Sequence, residues 1–390
     1  LAKKIWGSCL IQERKATTMK VYVGIDSHTT NYTLAAMTSE ADHPFSINTY
    51  PPKISNITAY CEGLRKQYGE DTEILAGYEA GCLGFSLKRD LERNGIPCIV
   101  IAPTSMPDRT KKNMKKTDKR DARDISKCLA FHDSSEVYTP DEEDEAVRDY
   151  IRMREDHRLQ LKKIKQQMVA FLTRHGYCFT NGKYWTGKHL KWLKELSLSK
   201  ALRDILDNYL QSYETVSDRL NQMDQHIQET AEEEKYREAV HKLICIKGIN
   251  TLTALALAVE VCDFKRFRKA KNFAAFLGLT AGEFSSGDSV NRTGITKQGN
   301  RFLRKLLTES AQCYSRAVRG KSKLLKKRQE GNTEAVIAYA DKAGERLRKR
   351  FYTLFIKEHK AYNKVTCAAA RELSCFIWGM MTDNIHTLLA

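Results

Sequence analysis

Three aspartates recur at every third position within a strongly cationic stretch of the sequence, "KKTDKRDARDI" at residues 115–125. Residues three apart share one face of a helix, so Asp118 and Asp121 would present their carboxylates together. Asp26 ends one predicted strand and Glu79 ends another, and side chains at the ends of neighbouring strands can lie side by side. We expect the four carboxylates to converge at one point.

Four converging carboxylates cannot all stay ionised unless cations neutralise them. Their hard oxygen ligands suit Mg²⁺ or Mn²⁺, and two such ions can activate a nucleophile and stabilise the leaving oxygen in phosphodiester chemistry. The cations around the aspartates would then bind the phosphate backbone; they are Lys115, Lys116, Lys119 and Arg120. The other interpretation is an exposed helix face held by local ion pairs, a role that suits Asp124 best.

A polar segment punctuated by glycines, "EFSSGDSVNRTGITKQGN" at residues 283–300, is a second candidate site. Its serines are ordinary turn-forming residues. Arg292 and Lys297 would nevertheless favour a phosphate over this predicted loop, and a serine beside a phosphate can attack it if a base removes its proton. No histidine lies in this window, so the segment does not itself supply an evident base.

The segment "LICIKGINTLTALALAVEV" at residues 243–261 has the pattern of two helices joined by a hairpin that contains Lys247 and Gly248. Such a hairpin can present backbone N–H groups and a helix N-terminus to phosphate. Glycine turns between helices are also common in proteins that bind no nucleic acid. The basic run "FKRFRKAKNF" follows at residues 264–273.

The composition points to a polyanionic partner. The 390 residues include 65 Lys and Arg against 48 Asp and Glu, a formal charge of +17, and nucleic acid is the commonest partner of such a protein. No apolar run approaches the roughly 20 residues of a membrane span. The 11 cysteines form no C-x-x-C pair, which indicates reduced thiols in a cytosolic protein and argues against a zinc module.

The N-terminal third predicts a mixed α/β sheet domain over residues 19–138, preceded by a disordered extension at residues 1–18. Alternating or continuous apolar residues predict strands within 20–37, 45–51, 72–80 and 96–103. Amphipathic spacing predicts helices at about 55–68 and 83–94.

The rest of the chain predicts helices, so the fold class is α/β plus all-α. Residues 139–237 form a predicted coiled coil, interrupted by glycines and aromatic residues at 176–193, because apolar residues keep heptad spacing from Leu206 to Ile227. Antiparallel packing, a dimer and a simple helical spacer all remain open. Residues 238–390 predict a third, mostly helical domain.

The order of three segments resembles the DEDD transposases, insertion-sequence recombinases related to the Piv DNA invertase; these segments are "YVGIDSHTTNYTLAAM", "GYEAGCLGFSLKRDLERNGIPCIVIAP" and "KKTDKRDARDISKCLA". The resemblance continues to the C-terminus. It implies a RuvC-like N-terminal domain with an RNase H-like fold, then a coiled coil and a C-terminal transposase domain. The family's metal-binding acids match Asp26, Glu79, Asp118 and Asp121.

The resemblance also implies a nucleophilic serine, because "SGDSV" matches the family's S-G-x-S-V pattern. Ser286 occupies the nucleophile position, and Ser285 directly before it is the other candidate. The family implies a phosphoserine link to DNA, with the metal-bound acids completing a composite centre. If the two halves come from different subunits, the active protein is a homo-oligomer, a dimer or a tetramer.

Several members of this family are guided by a bridge RNA, so the resemblance adds a guide RNA to DNA as an expected partner. The leading hypothesis is a transposase that excises and inserts its own element in the cytoplasm of a prokaryotic cell. A metal-dependent junction-resolving nuclease with an idle Ser286 is one alternative. A nucleic-acid-binding protein without catalytic activity is the other.

Overall fold

The computed structural model describes residues 19–81, 83–103, 106, 117–283, 292–316 and 320–385. It divides the chain into two compact units, Leu1–Thr139 and Pro140–Ala390. The predicted extension at 1–18, the basic residues Lys115 and Lys116, and the candidate nucleophiles Ser285 and Ser286 all lie outside the described residues.

A five-stranded mixed sheet forms the centre of the first unit, and the predicted strands are confirmed. The strands are β1 Lys20–Ser27, β2 Tyr32–Met37, β3 Ser46–Tyr50, β4 Glu73–Glu79 and β5 Cys98–Ile101. Their order is β3-β2-β1-β4-β5. β1, β2 and β3 pair antiparallel, whereas β4 and β5 run parallel to β1.

Helices cover both faces of this sheet. Helices α1 (Ile54–Tyr68) and α2 (Ser86–Arg93) pack on the face that carries Val21, Val23 and Ile25 of β1. Helix α3 (Asp118–Ala130) packs on the opposite face. The alternation of side chains along β1 therefore builds two apolar layers, one on each side of the sheet.

Two long helices open the second unit, α4 (Glu142–Arg174) and α6 (Lys200–Ala231). The short helix α5 (Gly187–Glu195) lies between them in the chain and begins within the segment where the heptad spacing is interrupted. Most heptad positions of α6 are buried, among them Leu206, Val216 and Leu220, whereas Tyr209 and Tyr213 are half-buried. Burial of one stripe explains why the apolar spacing persists along the whole helix.

Helices α4 and α6 pack antiparallel within one chain. Arg154 in the first half of α4 donates to Asp224 near the end of α6, with Nε and Oδ1 2.8 Å apart. Phe171 near the end of α4 meets Tyr209 near the start of α6, with ring centroids 6.0 Å apart. The partners thus run in opposite chain directions, which is one of the arrangements that the sequence left open. We call this pair the helical arm.

Glu155 of α4 joins the helical arm to the rest of the second unit. It accepts hydrogen bonds from Arg158, with Nε and Oε2 2.7 Å apart, and it forms an ion pair with Lys305. Burial alone would raise the pKa of Glu155, but these hydrogen bonds and charges outweigh it and lower the pKa to about 2.

Replacing Glu155 with glutamine is expected to lower the free energy of unfolding by about 2 kcal/mol at neutral pH. Because the folded-state pKa is depressed, this stabilisation is fully present above about pH 4.5 and is lost as the pH falls toward 2. Urea denaturation of wild type and Glu155→Gln between pH 7 and pH 2.5 measures the difference. Glu233→Gln, at an exposed residue, is the control, and a difference independent of pH would contradict the assignment.

The remainder of the second unit is mostly helical around a single large apolar core. Its further helices are α7 Glu234–Ile244, α8 Thr251–Val261, α9 Ala270–Phe276, α10 Arg301–Ala311, α11 Lys323–Gln329, α12 Glu334–Tyr352 and α13 Tyr362–Met381. Among the residues that the structure describes, no helix has both the length and the apolar character that a membrane crossing requires.

The predicted polar loop at 283–300 proves in part to be a strand. Strands β6 (Ala281–Glu283) and β7 (Arg292–Ile295) pair antiparallel, so the described end of this segment is β structure. Both strands are very short and β7, "RTGI", contains a single apolar residue. Neither strand therefore has enough alternation to be recognised from the sequence.

Candidate active site

Two strand glycines allow helix α3 to lie directly on the sheet. A Cβ at Gly24 of β1 would lie 2.2 Å from the backbone oxygen of Ala122 in α3. A Cβ at Gly77 of β4 would lie 2.9 Å from the side chain of Leu129 in the same helix. At Gly24 the neighbouring atom belongs to the backbone, so only glycine fits there, whereas at Gly77 it is the end of a flexible side chain. Gly24 therefore sets the close approach of α3 to β1, and Gly77 makes room for Leu129 on β4.

Asp26 and Glu79 lie on the same face as these glycines. Side chains alternate along a strand, so Asp26 follows Gly24 and Glu79 follows Gly77 on the side that faces α3. β1 and β4 are parallel, with Ile25 opposite Tyr78, so the two acids occupy the next position of neighbouring strands. Adjacent strands lie about 4.8 Å apart, which places the two acids side by side at the strand ends.

Asp118 in the first turn of α3 reaches the end of β1. His28 lies between the two aspartates: its Nε2 is 3.4 Å from Oδ2 of Asp26 and 3.8 Å from Oδ1 of Asp118. Asn31 donates to Asp118, with Nδ2 and Oδ2 3.2 Å apart. Asp26 is 14% exposed and Asp118 46% exposed, so one carboxylate is enclosed and the other faces solvent.

One ligand atom from each of Asp26, His28 and Asp118 lies within 4.8 Å of the others, a spacing that fits a single cation. Glu79 and Asp121 are not members of this close group. Glu79 is exposed at the end of β4, and Asp121 is 6% exposed in the first turn of α3. The structure thus brings two of the four predicted acids into one group. Asp121 lies on α3 together with Asp118, and Glu79 lies on β4, the strand that pairs with β1.

His28 and Asn31 were missed by the sequence reasoning. The signal was present in "DSHTTN", because His28 stands two residues after Asp26 and would share its side of an extended chain. Asn31 lies in the turn between β1 and β2, where a polar residue is equally typical of a turn. Only the packing of α3 shows that this turn lies next to a catalytic candidate.

Two family models match this chain, one over its N-terminal part and one over its C-terminal part. A family model described as transposase IS116/IS110/IS902 family matches residues 240–326, and a DEDD model of the IS110 group, described as a transposase, matches residues 23–176. The chain is 34% identical over 346 residues to the transposase for insertion sequence element IS1533 of Leptospira borgpetersenii. That alignment covers 87% of this chain and 98% of the relative. The chain belongs to the IS110/IS116/IS902 family of transposases.

Other relatives agree with this assignment. The putative transposase y4qE of Sinorhizobium fredii is 34% identical over 311 residues, covering 80% of this chain and 76% of the relative. The transposase for insertion sequence element IS1111A of Coxiella burnetii is 26% identical over 291 residues. This alignment covers 74% of this chain and 72% of the relative. The protein is therefore an enzyme, a DNA transposase whose substrate is DNA, and its DEDD domain implies the use of a divalent metal.

The donor chemistry of the transposase's acidic site fits a hard divalent cation. Carboxylate oxygens are the ligands that such ions prefer, and Asp26 and Asp118 already lie within reach of one ion. The first turn of α3 carries both Asp118 and Asp121, where the helix dipole also favours negative charge.

The predicted nucleic-acid-binding residues occupy several places. In the first unit, Lys119 is exposed and Arg120 half-buried in the first turn of α3. In the second, Lys247 and Gly248 form the turn between α7 and α8. A Cβ at Gly248 would lie 2.7 Å from the backbone oxygen of Ser310, so the turn packs against α10. Tyr314 donates to the backbone oxygen of Lys247 at 2.5 Å, which fixes this turn further.

The strand pair β6–β7 flanks the segment that contains the predicted nucleophile. Arg292 begins β7, and Lys297 is exposed just after it. The Lys297 amide donates to the backbone oxygen of Gly278 at 3.1 Å, and the Asn300 amide donates to that of Phe276 at 2.8 Å. The residues that follow β7 are thus held against the end of α9.

Proposed function

We propose that this transposase excises and inserts its insertion sequence by cutting and rejoining DNA strands. Asp26, Glu79, Asp118 and Asp121 would bind the metal, and Ser286 would be the nucleophile. The main support is the convergence of Asp26 and Asp118 at the end of β1, with Glu79 on the adjacent strand end. Acids brought together from separate elements, here Asp26 from β1 and Asp118 from α3, are typical of a metal-dependent phosphodiester site.

The first unit is proposed to be a RuvC-like domain with an RNase H-like fold, spanning residues 19–138. Its support is the mixed sheet of five strands with three antiparallel strands followed by parallel ones, and acids at the ends of β1 and β4. The coiled coil at 139–237 and the transposase domain at 238–390 complete the proposed organisation, as in the Piv-related recombinases that the sequence resembles.

The proposed cofactor is Mg²⁺ or Mn²⁺, as two ions, which when bound supplies charge stabilisation at the scissile phosphate. The protein's own part is to hold the acids in place. Asn31 donates to Asp118, and His28 contacts both aspartates, so both side chains orient carboxylates that would otherwise repel one another. Lys119 and Arg120, one and two residues beyond Asp118, offer positive charge to the DNA backbone.

Ser286 is proposed to form the covalent phosphoserine link to DNA. Its segment is carried by the β6–β7 pair, whose end is tied to α9, and Arg292 and Lys297 follow it in the chain. These cations would bind the phosphate that the Ser286 hydroxyl attacks, and the metal-binding acids would supply the activation of that hydroxyl. Where the acids and Ser286 come from different subunits, catalysis requires a homo-oligomer.

A guide RNA remains part of the proposal. The charge of +17 suits the simultaneous binding of RNA and DNA, since both are bound chiefly through phosphate. Since bacterial chromosomal DNA lies in the cytoplasm, we place the transposase there.

Replacing Ser286 with alanine is expected to abolish covalent protein–DNA adducts and recombination, because the proposed link forms through its hydroxyl. The measurement is denaturing electrophoresis of the protein after incubation with labelled element-end DNA and Mg²⁺. Ser285→Ala is the matched control and should retain the adducts.

Persisting adducts in Ser286→Ala with loss in Ser285→Ala would transfer the role to Ser285. If neither substitution reduces cleavage and no adduct forms in wild type, the junction-resolving nuclease would replace the serine mechanism. That nuclease would use the acids alone.

A further inference from the structure

Three large aromatic side chains are exposed around the segment that joins α12 to α13. Tyr352 at the end of α12 is 54% exposed, and Phe355 and Tyr362 are each 38% exposed. Buried Phe351 supports the latter two, with ring centroids 6.1 Å from Phe355 and 5.7 Å from Tyr362. A soluble protein exposes adjacent large aromatic side chains chiefly where something binds to them.

The backbone holds this exposure in place. Residues Thr353–Lys357 form a π-helical turn, with the Glu358 amide donating to the backbone oxygen of Thr353 at 3.0 Å. This wider turn contains no buried residue. Such turns cost stability relative to the α-helix and are frequent at functional sites.

Several cations lie close in the sequence to these rings. Among the described residues, Arg348, Lys349 and Lys357 make no ion pair, whereas nearby Arg346 and Arg350 are both paired with Glu372. Over residues 320–364 there are 13 lysines and arginines against five acids. The charge available at the surface is therefore positive and open to a polyanion.

A surface groove connects this area with the predicted phosphate-binding hairpin. One stretch is lined by Lys247, Lys321 and Arg348, and the next by Arg348, Lys349 and Tyr352. Two acids also line it, Asp341, which pairs with Lys321, and Glu345, so the cations outnumber the acids there. Because Arg348 lines both stretches, the groove runs from the α7–α8 turn to the exposed rings. A flexible strand with regularly spaced negative charges fits such a path.

We infer that this surface binds an unpaired strand of nucleic acid, with bases stacked on the rings and phosphates on the cations. We call it the aromatic–basic patch, and it consists of Arg348, Lys349, Tyr352, Phe355, Lys357 and Tyr362. The inference deepens the proposed function, and rests on it, because strand exchange must hold separated strands. It does not depend on Ser286 or on the metal site.

Other occupants fit the patch less well. In a duplex each base is already stacked between its neighbouring base pairs, so a duplex would contact the cations and leave no base face for the rings. A second copy of the chain in a two-fold dimer would bring the patch against itself and place like charges together. Base stacking on exposed rings, by contrast, uses both features at once.

The test measures binding of labelled oligonucleotides by fluorescence anisotropy to the full chain in EDTA, so that no metal-dependent step contributes. The probes are a 15-nucleotide oligo(dT), a 15-nucleotide oligo(U) and a 15-base-pair duplex. The double variant Tyr352→Leu with Phe355→Leu removes both rings and keeps apolar bulk. The control pair Tyr352→Phe with Phe355→Tyr keeps both rings.

The leucine variant is expected to bind single strands at least about tenfold more weakly, with duplex binding changed less than about twofold. The control pair should bind like wild type. Weaker binding of either single-stranded probe supports the inference. A loss confined to the DNA or to the RNA probe identifies the strand that the patch binds. Tyr352→Leu alone, at a residue without a ring contact in the described part of the chain, serves if the double variant unfolds.

Equal weakening for duplex and single strand, or no weakening at all, would overturn the inference. A smaller molecular mass of the leucine variant by light scattering would also overturn it, by assigning the patch to an interface between copies. Because binding is measured without metal, these outcomes are independent of the adduct assay that tests Ser286.

Discussion

Asp118→Asn is expected to lower the rate of DNA strand cleavage by a factor on the order of 10³ or more while the protein stays folded. Asp118 is half exposed, so asparagine fits its place without steric cost. What is lost is one of two carboxylates within reach of a single cation, and metal ions supply several kcal/mol of transition-state stabilisation in phosphodiester chemistry. Cleavage of labelled element-end DNA in Mg²⁺ measures the rate.

The same helix offers a matched control in Asp124→Asn. Asp124 lies in the second turn of α3 and pairs with Arg123 at 3.4 Å. Because such an ion pair near the surface contributes little, the replacement should leave the cleavage rate within about threefold of wild type. Mn²⁺ binding followed by electron paramagnetic resonance should weaken for Asp118→Asn and not for Asp124→Asn. Full cleavage activity in Asp118→Asn would contradict the metal-site assignment.

Gly24→Ala is expected to destabilise the first unit by at least about 3 kcal/mol and to abolish activity with it. The added Cβ would lie 2.2 Å from the Ala122 oxygen and 2.3 Å from the Ser126 nitrogen, both backbone atoms that cannot rotate away. Relief requires α3 to move off the sheet, and Asp118 would move with it. Thermal unfolding followed by circular dichroism measures the loss.

Gly63→Ala is the control for this substitution. No atom lies within 4 Å of a Cβ placed there, and Gly63 is exposed within α1. Alanine in a helix interior is more stable than glycine by roughly 0.5–1 kcal/mol, so this variant should unfold at a slightly higher temperature. Equal stability of the two variants would show that α3 is not held by the close approach at Gly24.

The sheet could be predicted because its strands carry strong local signals. Val21, Val23 and Ile25 alternate, and "CIVI" is a short apolar run. The strands β6 and β7 could not, since three or four largely polar residues give no period. Their pairing depends on the surrounding helices that hold the two ends together, which is tertiary information.

The candidate site shows the same division. Spacing alone puts Asp118 and Asp121 near one another, and strand ends suggest Asp26 and Glu79. Spacing does not show that Asp118 turns toward the β1–β2 turn, where His28 and Asn31 contact it. That geometry follows from the approach of α3 at Gly24 and Gly77, which no local pattern reveals.

The helical arm has a mechanical consequence. At 1.5 Å per residue, the 33 residues of α4 span about 50 Å, the length of some 15 base-pair steps. Its base is fastened where Arg152 pairs with buried Glu260 at 2.8 Å and where Lys305 pairs with Glu155. From Glu155 to Arg174 the helix extends about 29 Å beyond this base, so a tilt of about 10° there displaces its far end by about 5 Å.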